Sequence, residues 1–294
     1  MRYRSDAVFT LGDGSQPHIR ILGDYSRMKY GDLKSTKILA KLLFENFVSK
    51  YRSHVDPLES DKIVIASSAY GIVPTAAFGL AVEFERLMNL AGVSFEVVKI
   101  ERSLGVGSED YAELNNDQRE SFLAKRKLSL PCEAIEKLDG ARLIVIDDLF
   151  ATGRHQEGIL DLLKRKTSVK DVLFLYILQL SEHLGRDYPM AEHLVNRYSI
   201  RNLEDYFQLI QDGEDLPYIN ARVVRFLLME GFLKPTEFKK IFQRLPLEFC
   251  QNILAAAQSG DLKSSSRRYF PVVEILENEI FEKIVAENET SLKK

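Results

Sequence analysis

Residues 142–165 read RLIVIDDLFATGRHQEGILDLLKR. Leu143 to Ile146 form an apolar run, Asp147 and Asp148 follow at once, and Ala151, Thr152 and Gly153 make a small-residue turn before a helical pattern begins at His155. A short apolar run bounded by a turn reads as a buried strand, and apolar residues three and four apart read as one face of a helix. Strand, acid pair, loop and helix in that order suit a sugar phosphate. Carboxylates at a strand end accept hydrogen bonds from a diol, while loop amides and the positive end of the next helix hold a phosphate.

Other uses of an acid pair are excluded by what is missing around it. The sequence contains no GxxxxGK[ST], which removes a P-loop, and no GxGxxG after a strand, which argues against a dinucleotide fold. Adjacent Asp residues on a strand point to opposite faces, so they do not form the facing pair of a glycosidase. With 294 residues, a formal charge of −3 and a pI near 6.0, the chain has no polybasic signature. No nucleic acid and no anionic membrane are therefore expected as partners, and small-molecule chemistry is. Cys132 and Cys250 form no metal-binding or disulfide pattern, and no stretch supplies the roughly 20 apolar residues of a membrane span. A cytoplasmic location is the expectation.

Working outward, residues 1–31 read as short strands or ordered loop, with turn signals at Gly12 to Gly14 and at Gly23 and Asp24. SRMKYGD at 26–32 reads as a solvated loop leading into a helix at 33–51, with a substrate-facing role for Arg27, Lys29 and Tyr30 as the alternative. Residues 62–66 read as a buried strand, 76–91 as a helix with Phe78, Val82, Phe84, Leu87 and Leu90 toward the core, and 95–100 as the next strand. Residues 101–140 are a long excursion, with a short helix near 117–127, and both a lid and a plain surface insertion remain open. VKDVLFLYIL at 169–178 suits a central parallel strand. Helical patterns follow at 203–210, 221–230, 236–245, 247–259 and 272–286, punctuated by Pro217, Pro235, Pro246 and Pro271. SSSRR at 264–268 reads as a polar linker, and the basic runs at 164–166 and 267–268 as solvated faces. The expected fold is α/β, a mostly parallel sheet flanked by helices over 1–185, with an all-helical region over 186–294.

IDDLFATGRH resembles the PRPP-binding signature of type I phosphoribosyltransferases. The resemblance implies that Asp147 and Asp148 take the ribose hydroxyls and carry indirect contact to Mg²⁺, and that Ala151, Thr152, Gly153, Arg154 and His155 hold the 5′-phosphate. SSAYGIVPTAA is similar to the family's pyrophosphate loop, which implies that Ser67, Ser68, Ala69, Tyr70 and Gly71 cradle the pyrophosphate. Many members have Lys or Arg where this chain has Tyr70, so Lys99 and Arg102 are the expected suppliers of positive charge, with Mg²⁺ sharing the load. Together with VVKIERS, DYAELNNDQRE and NARVVRFLLMEGF, these stretches look most like the phosphoribosyltransferase-type proteins associated with tellurite-resistance gene clusters.

Ala151 departs from the 6-oxopurine salvage enzymes, which commonly carry a proton-transferring Asp there; an alanine cannot do that. A general base would come from the lid, where Asp110 and Tyr111 are candidates, or from the C-terminal helices. The resemblance thus implies Mg²⁺-dependent transfer of a phosphoribosyl group from PRPP to an unnamed acceptor, with a homodimer left open. A non-catalytic PRPP or nucleotide sensor, or an interaction protein on the same fold, is the alternative. His18, His54, His183 and His193 have no metal spacing.

Overall fold

Five parallel strands carry the N-terminal part of the chain. They are β1 (Arg2–Leu11), β2 (Ile63–Ser67), β3 (Glu96–Val98), β6 (Arg142–Phe150) and β7 (Asp171–Leu180), in the order β1-β7-β6-β2-β3. The structure is a computed structural model and describes residues 1–12, 19–51, 62–102, 128–188, 190–260 and 262–292. β7 lies between β1 and β6 and is buried at every position except Gln179, which is why its sequence is apolar almost throughout. Two short strands, β4 (Glu101–Arg102) and β5 (Leu128–Ser129), form a separate antiparallel ladder that joins the two ends of the 103–127 segment.

The alternation along β6 sorts its side chains between two cores. Ile144 and Ile146 pack with residues of α1 (Ile19–Lys29), α2 (Leu33–Tyr51) and α3 (Ala76–Leu90), among them Tyr25, Met28, Leu39, Phe47 and Phe84. Leu143 and Val145 pack on the other face against α4 (Cys132–Leu138) and α5 (Arg154–Lys166), through Leu138, Ile159, Leu162 and Leu163. Continued by one step, the same period of two sends Asp147 to the α5 side and Asp148 to the α1 side.

Strand order also fixes where a ligand belongs. From β2 the chain moves outward through α3 to β3, and from β6 it moves the opposite way through α5 to β7. The direction reverses between β2 and β6, and ligands of open α/β sheets bind outside the carboxyl ends of strands at such a switch point. The ends of these two strands with the turns after them, 67–75 and 147–155, are the two segments singled out in the sequence.

The helical C-terminal region comprises α6 (Glu182–Asp187), α7 (Met190–Asn196), α8 (Leu203–Asp212), α9 (Ala221–Leu233), α10 (Pro235–Arg244), α11 (Leu247–Gln258), α12 (Lys263–Arg268) and α13 (Phe270–Leu292). Asn202 and Asn220 cap α8 and α9 with their side-chain oxygens, and Pro235 and Pro246 start α10 and α11 where a missing N–H costs nothing. These helices build a core of their own around Val223, Leu227, Phe238, Phe242, Ile253 and Leu276. Tyr30 and Val73 of the sheet region enter that core, with the Tyr30 ring edge-on to Phe226 at 4.9 Å. Hydrogen bonds complete the joint: Tyr25 Oη donates to Asn196 Oδ1 at 3.3 Å, Ser26 Oγ to the Asn196 carbonyl at 3.0 Å, and Tyr218 Oη to the Ala76 carbonyl at 2.8 Å.

Several expectations are corrected. Residues 1–31 hold a ten-residue strand and a full helix rather than short strands or loop. The stretch expected to be a solvated loop at 26–32 is instead the end of α1 and its turn, with Ser26, Met28, Lys29, Tyr30 and Gly31 buried. Its charge and its neighbouring Gly23 and Asp24 mask an amphipathic helix whose buried face includes a lysine. SSSRR lies within α12 rather than in a linker. On α3, Phe84 is central to the core, but Val82 and Leu90 are exposed, and the third strand shrinks to Glu96–Val98. Lys164, Arg165, Lys166, Arg267 and Arg268 are exposed as expected. The helix expected near 117–127, His18 and His54 lie outside the described residues. Among the described residues, no helix is long and apolar enough to cross a membrane.

Candidate functional site

The acid pair lies within β6 at the switch point, two residues before the strand ends at Phe150 rather than at its end as expected, and its two members meet different neighbours. Asp148 is buried and forms an ion pair with Lys29 Nζ, which reaches it from the last residue of α1. The Lys29 ammonium also lies 5.8 Å from the centre of the Tyr25 ring. Asp147 faces α5. Its Oδ1 accepts from the Asp148 amide at 2.9 Å, it takes a hydrogen bond from Ser68, and its Oδ2 lies 3.9 Å from His155 Nε2. Burial and the adjacent Asp148 carboxylate push Asp147 up to about 7, against partial relief from its hydrogen bonds and from Lys29.

His155 is the second residue of α5. Arg102 Nη2 lies 3.3 Å from its Nδ1, and because a guanidinium only donates, Nδ1 is the acceptor and Nε2 carries the hydrogen. Burial and the Arg102 charge drive the imidazole down to about 3, so its contact with Asp147 is not an ion pair at neutral pH. Nε2 has no hydrogen-bond partner among the described residues and is directed at the acid pair. Gly153 caps α5 in the left-handed conformation, φ +77°, which lets the chain turn sharply from loop to helix. Thr152 and Arg154 are exposed, and the Ala151 carbonyl lies so close to Gly185 that a Cβ there would approach it to 2.4 Å.

Across the switch point, the loop after β2 continues the strand ladder for one residue, the Ser68 amide donating to the Ile146 carbonyl at 2.9 Å. Ser67 and Ser68 are buried, and Ser68 Oγ pairs with Thr75 Oγ1 at 3.2 Å. Ala69 is buried, whereas Tyr70 and Gly71 are partly exposed. Tyr70 is tied to the neighbouring chain at both backbone ends: its amide donates to the Ile100 carbonyl, and its own carbonyl accepts from the Arg102 amide. Lys99 Nζ sits 4.7 Å from the centre of the Tyr70 ring, and the ring packs edge-on to Phe78 at 5.3 Å. A cleft of about 190 Å³ opens at this cluster, lined also by Val82, Glu85 and Val97.

Sequence reasoning therefore names residues that come together here, Ser68, Arg102, Asp147, Asp148 and His155, while Lys99 stands over the Tyr70 ring and 4.0 Å from Glu101. It reads Lys29 in a loop, with a substrate-facing role only as the alternative, and gives no part to Gln156 or Tyr176. Tyr176 Oη donates to Gln156 Oε1 at 3.1 Å, and burial with the nearby carboxylates holds its phenol well above its ordinary value. The available signal for Lys29 is its place one residue beyond Met28 and four beyond Tyr25, inside the apolar stripe of a helix. Asp110 and Tyr111 lie outside the described residues.

Among the described residues no group of three or more His, Cys, Asp and Glu side chains is placed to hold a metal ion. Asp147 and Asp148 diverge, so the chain offers carboxylate oxygens singly. That fits a hard cation such as Mg²⁺, which keeps waters and substrate oxygens as its other partners.

The raised Asp147 has a consequence for stability. Its folded value near 7 exceeds the ordinary carboxylate value, so the stabilisation linked to its proton is complete below about pH 4 and is lost as pH rises through 7. Asp147→Asn removes that loss. The melting temperature of this variant relative to the wild type is expected to rise between about pH 4 and pH 7 and to level off above; a constant difference would contradict the assignment.

No curated protein matches the chain. Among solved structures it is similar to a purine phosphoribosyltransferase from Pyrococcus horikoshii, at 14% identity over 49% of this chain and 86% of that one, TM-score 0.30. A hypoxanthine phosphoribosyltransferase from Trypanosoma cruzi is similar at 10% identity, covering 50% and 65%, TM-score 0.34. The hypoxanthine-guanine phosphoribosyltransferase of L. donovani is similar at 11% identity, covering 50% and 70%, TM-score 0.34. The family described as PRTase ComF-like matches residues 10–273. That match runs from the end of β1, across both loops of the switch point, to the first turn of α13, and the chain belongs to the PRTase ComF-like family.

Proposed function

We propose that the chain is a Mg²⁺-dependent phosphoribosyltransferase that uses PRPP as donor, releases pyrophosphate and serves an acceptor other than a 6-oxopurine. One observation carries this: the two stretches that resemble the PRPP signature and the pyrophosphate loop flank the switch point of the sheet. In this proposal Asp147 and Asp148 take the ribose hydroxyls, residues 151–155 the 5′-phosphate, and residues 67–71 the pyrophosphate. Lys99, held on the Tyr70 ring, and Arg102 replace the cation that other members carry in the loop. The bond from C1 to the pyrophosphate oxygen breaks, the acceptor's lone pair forms the new bond to C1, and the carboxylates stabilise positive charge developing on the sugar. Bound Mg²⁺ would neutralise charge on the leaving pyrophosphate.

To the same proposal belong a division of the chain near residue 185, a lid with Asp110 and Tyr111 as candidate general bases, a cytoplasmic location, and a place near the tellurite-resistance-associated members. Position 151 favours a second reading. Its side chain is a methyl group, with no proton to transfer, as suits a PRPP or nucleotide sensor. Incubating the protein with PRPP, Mg²⁺ and a panel of bases and amines, and assaying pyrophosphate, separates the two. Release dependent on one acceptor class supports transfer; PRPP binding with no release across the panel supports the sensor.

A further inference from the structure

Lys29 is the charged group in the site that no family motif accounts for. It comes from α1, outside both loops, and both it and its partner Asp148 are less than a tenth exposed. A lysine is ordinarily among the most exposed residues, and burying it is costly unless its charge is matched. Here the match is specific, because the ammonium rests on one oxygen, Asp148 Oδ2, and leaves the other without a contact from Lys29.

The lysine is also fixed from behind. Its backbone carbonyl accepts from Asn220 Nδ2 at 3.3 Å, and Asn220 is itself fully buried and caps α9 with its Oδ1. One turn earlier, Ser26 Oγ donates to the Asn196 carbonyl and accepts from the Ser199 amide, both at 3.0 Å. The end of α1 is thereby held by the C-terminal region at two points, and the sheet holds Asp148. A charge-assisted contact between two immobilised elements fixes the rotamer of the carboxylate.

We propose that Lys29 is the positioning residue that makes Asp148 a reader of the ribose diol, and so determines specificity for ribosyl over 2-deoxyribosyl phosphates. This rests on the proposed ribosyl-phosphate site. Pinned through Oδ2, Asp148 has its other oxygen, Oδ1, held in one orientation to accept from a hydroxyl. A sugar lacking the 2-hydroxyl leaves a buried carboxylate oxygen unmatched, whereas phosphate recognition at the turn of α5 is unaffected. The C-terminal helices contribute to the site through this lysine.

The test measures dissociation constants for ribose 5-phosphate, 2-deoxyribose 5-phosphate and PRPP with Mg²⁺, on the full chain by calorimetry. The wild type is expected to prefer ribose 5-phosphate over its 2-deoxy analogue by about tenfold or more, the worth of one hydrogen bond to a charged group. Lys29→Gln is expected to reduce that preference below about threefold while changing the affinity for 2-deoxyribose 5-phosphate little. A merely structural role for Lys29 would weaken both sugars in parallel, and that result overturns the proposal. Should Lys29→Gln fail to fold, the double variant Lys29→Gln with Asp148→Asn leaves no unpaired buried charge. It is expected to bind both sugars equally, and a wild-type preference in it overturns the proposal. A wild type that binds PRPP but does not distinguish the two sugars overturns this inference alone. Failure of all three ligands to bind overturns the phosphoribosyl site and the inference with it.

Discussion

Asp148→Ala is expected to lower the stability of the folded chain by about 3–5 kcal/mol, because it leaves the buried Lys29 ammonium without its counter-charge. Lys29 is 9% and Asp148 7% exposed, so water does not replace the missing partner. The cost belongs to the orphaned charge rather than to the bond, which separates this contact from surface pairs such as Lys41 with Glu45, worth about 0–1 kcal/mol. Replacing both partners, as in Lys29→Met with Asp148→Leu, is accordingly expected to restore most of the loss. Urea unfolding of the wild type, the Asp148→Ala variant and the double variant measures this. A single variant as stable as the wild type would show that the lysine leaves for solvent and that the pair does not anchor α1.

Gly31→Ala is the second large effect. Gly31 has φ +86°, and a Cβ there would lie 2.2 Å from the Tyr218 carbonyl oxygen. The same two residues share a backbone hydrogen bond, Tyr218 amide to Gly31 carbonyl, at 3.0 Å. A left-handed alanine costs about 1–2 kcal/mol and the forced separation of two packed backbones about 1–3 more. The expected total is about 3 kcal/mol. Gly92 provides the control: its φ is +81° and nothing lies within 4 Å of the place a methyl group would take, so Gly92→Ala should show only the conformational part, about 1–2 kcal/mol. Equal losses at the two positions, measured by urea unfolding, would mean that the turn after α1 does not press on the C-terminal region.

Apart from β1, the sheet is legible in the sequence because its evidence is local. The apolar runs at 143–146 and 172–178 and the turn residues after them specify strands without reference to anything distant. The candidate site is legible to the same degree: its two loops each follow a strand that can be read alone, and Lys99 and Arg102 are found as nearby charges. Lys29 is hidden for a different reason. A lysine is buried only when something elsewhere in the chain pairs with it, and its partner is 119 residues away. Asn220 and Tyr218 fall in the same class, since their value depends on where α9 meets α1 and α3. The role of His155 as a neutral donor follows from Arg102 beside it, a contact that spans 53 positions. Pairings of this kind exist only once topology has joined the segments.

Alternation along β6 divides the acid pair. Asp147 and Asp148 are adjacent in sequence but answer to different halves of the molecule, Asp147 to Ser68 and His155, Asp148 to Lys29 and through it to the C-terminal helices. A ligand bridging both carboxylates would therefore sense both faces of the sheet at once.

The central claim is that PRPP binds between the loops after β2 and β6. Calorimetric titration of the wild-type chain with PRPP in the presence of Mg²⁺ tests it most directly, with Asp147→Asn as the comparison. Saturable binding at one site per chain is expected, weakened about tenfold or more in the variant, as loss of a hydrogen bond to a charged group requires. No binding to the wild type, or equal binding to the variant, would contradict the account.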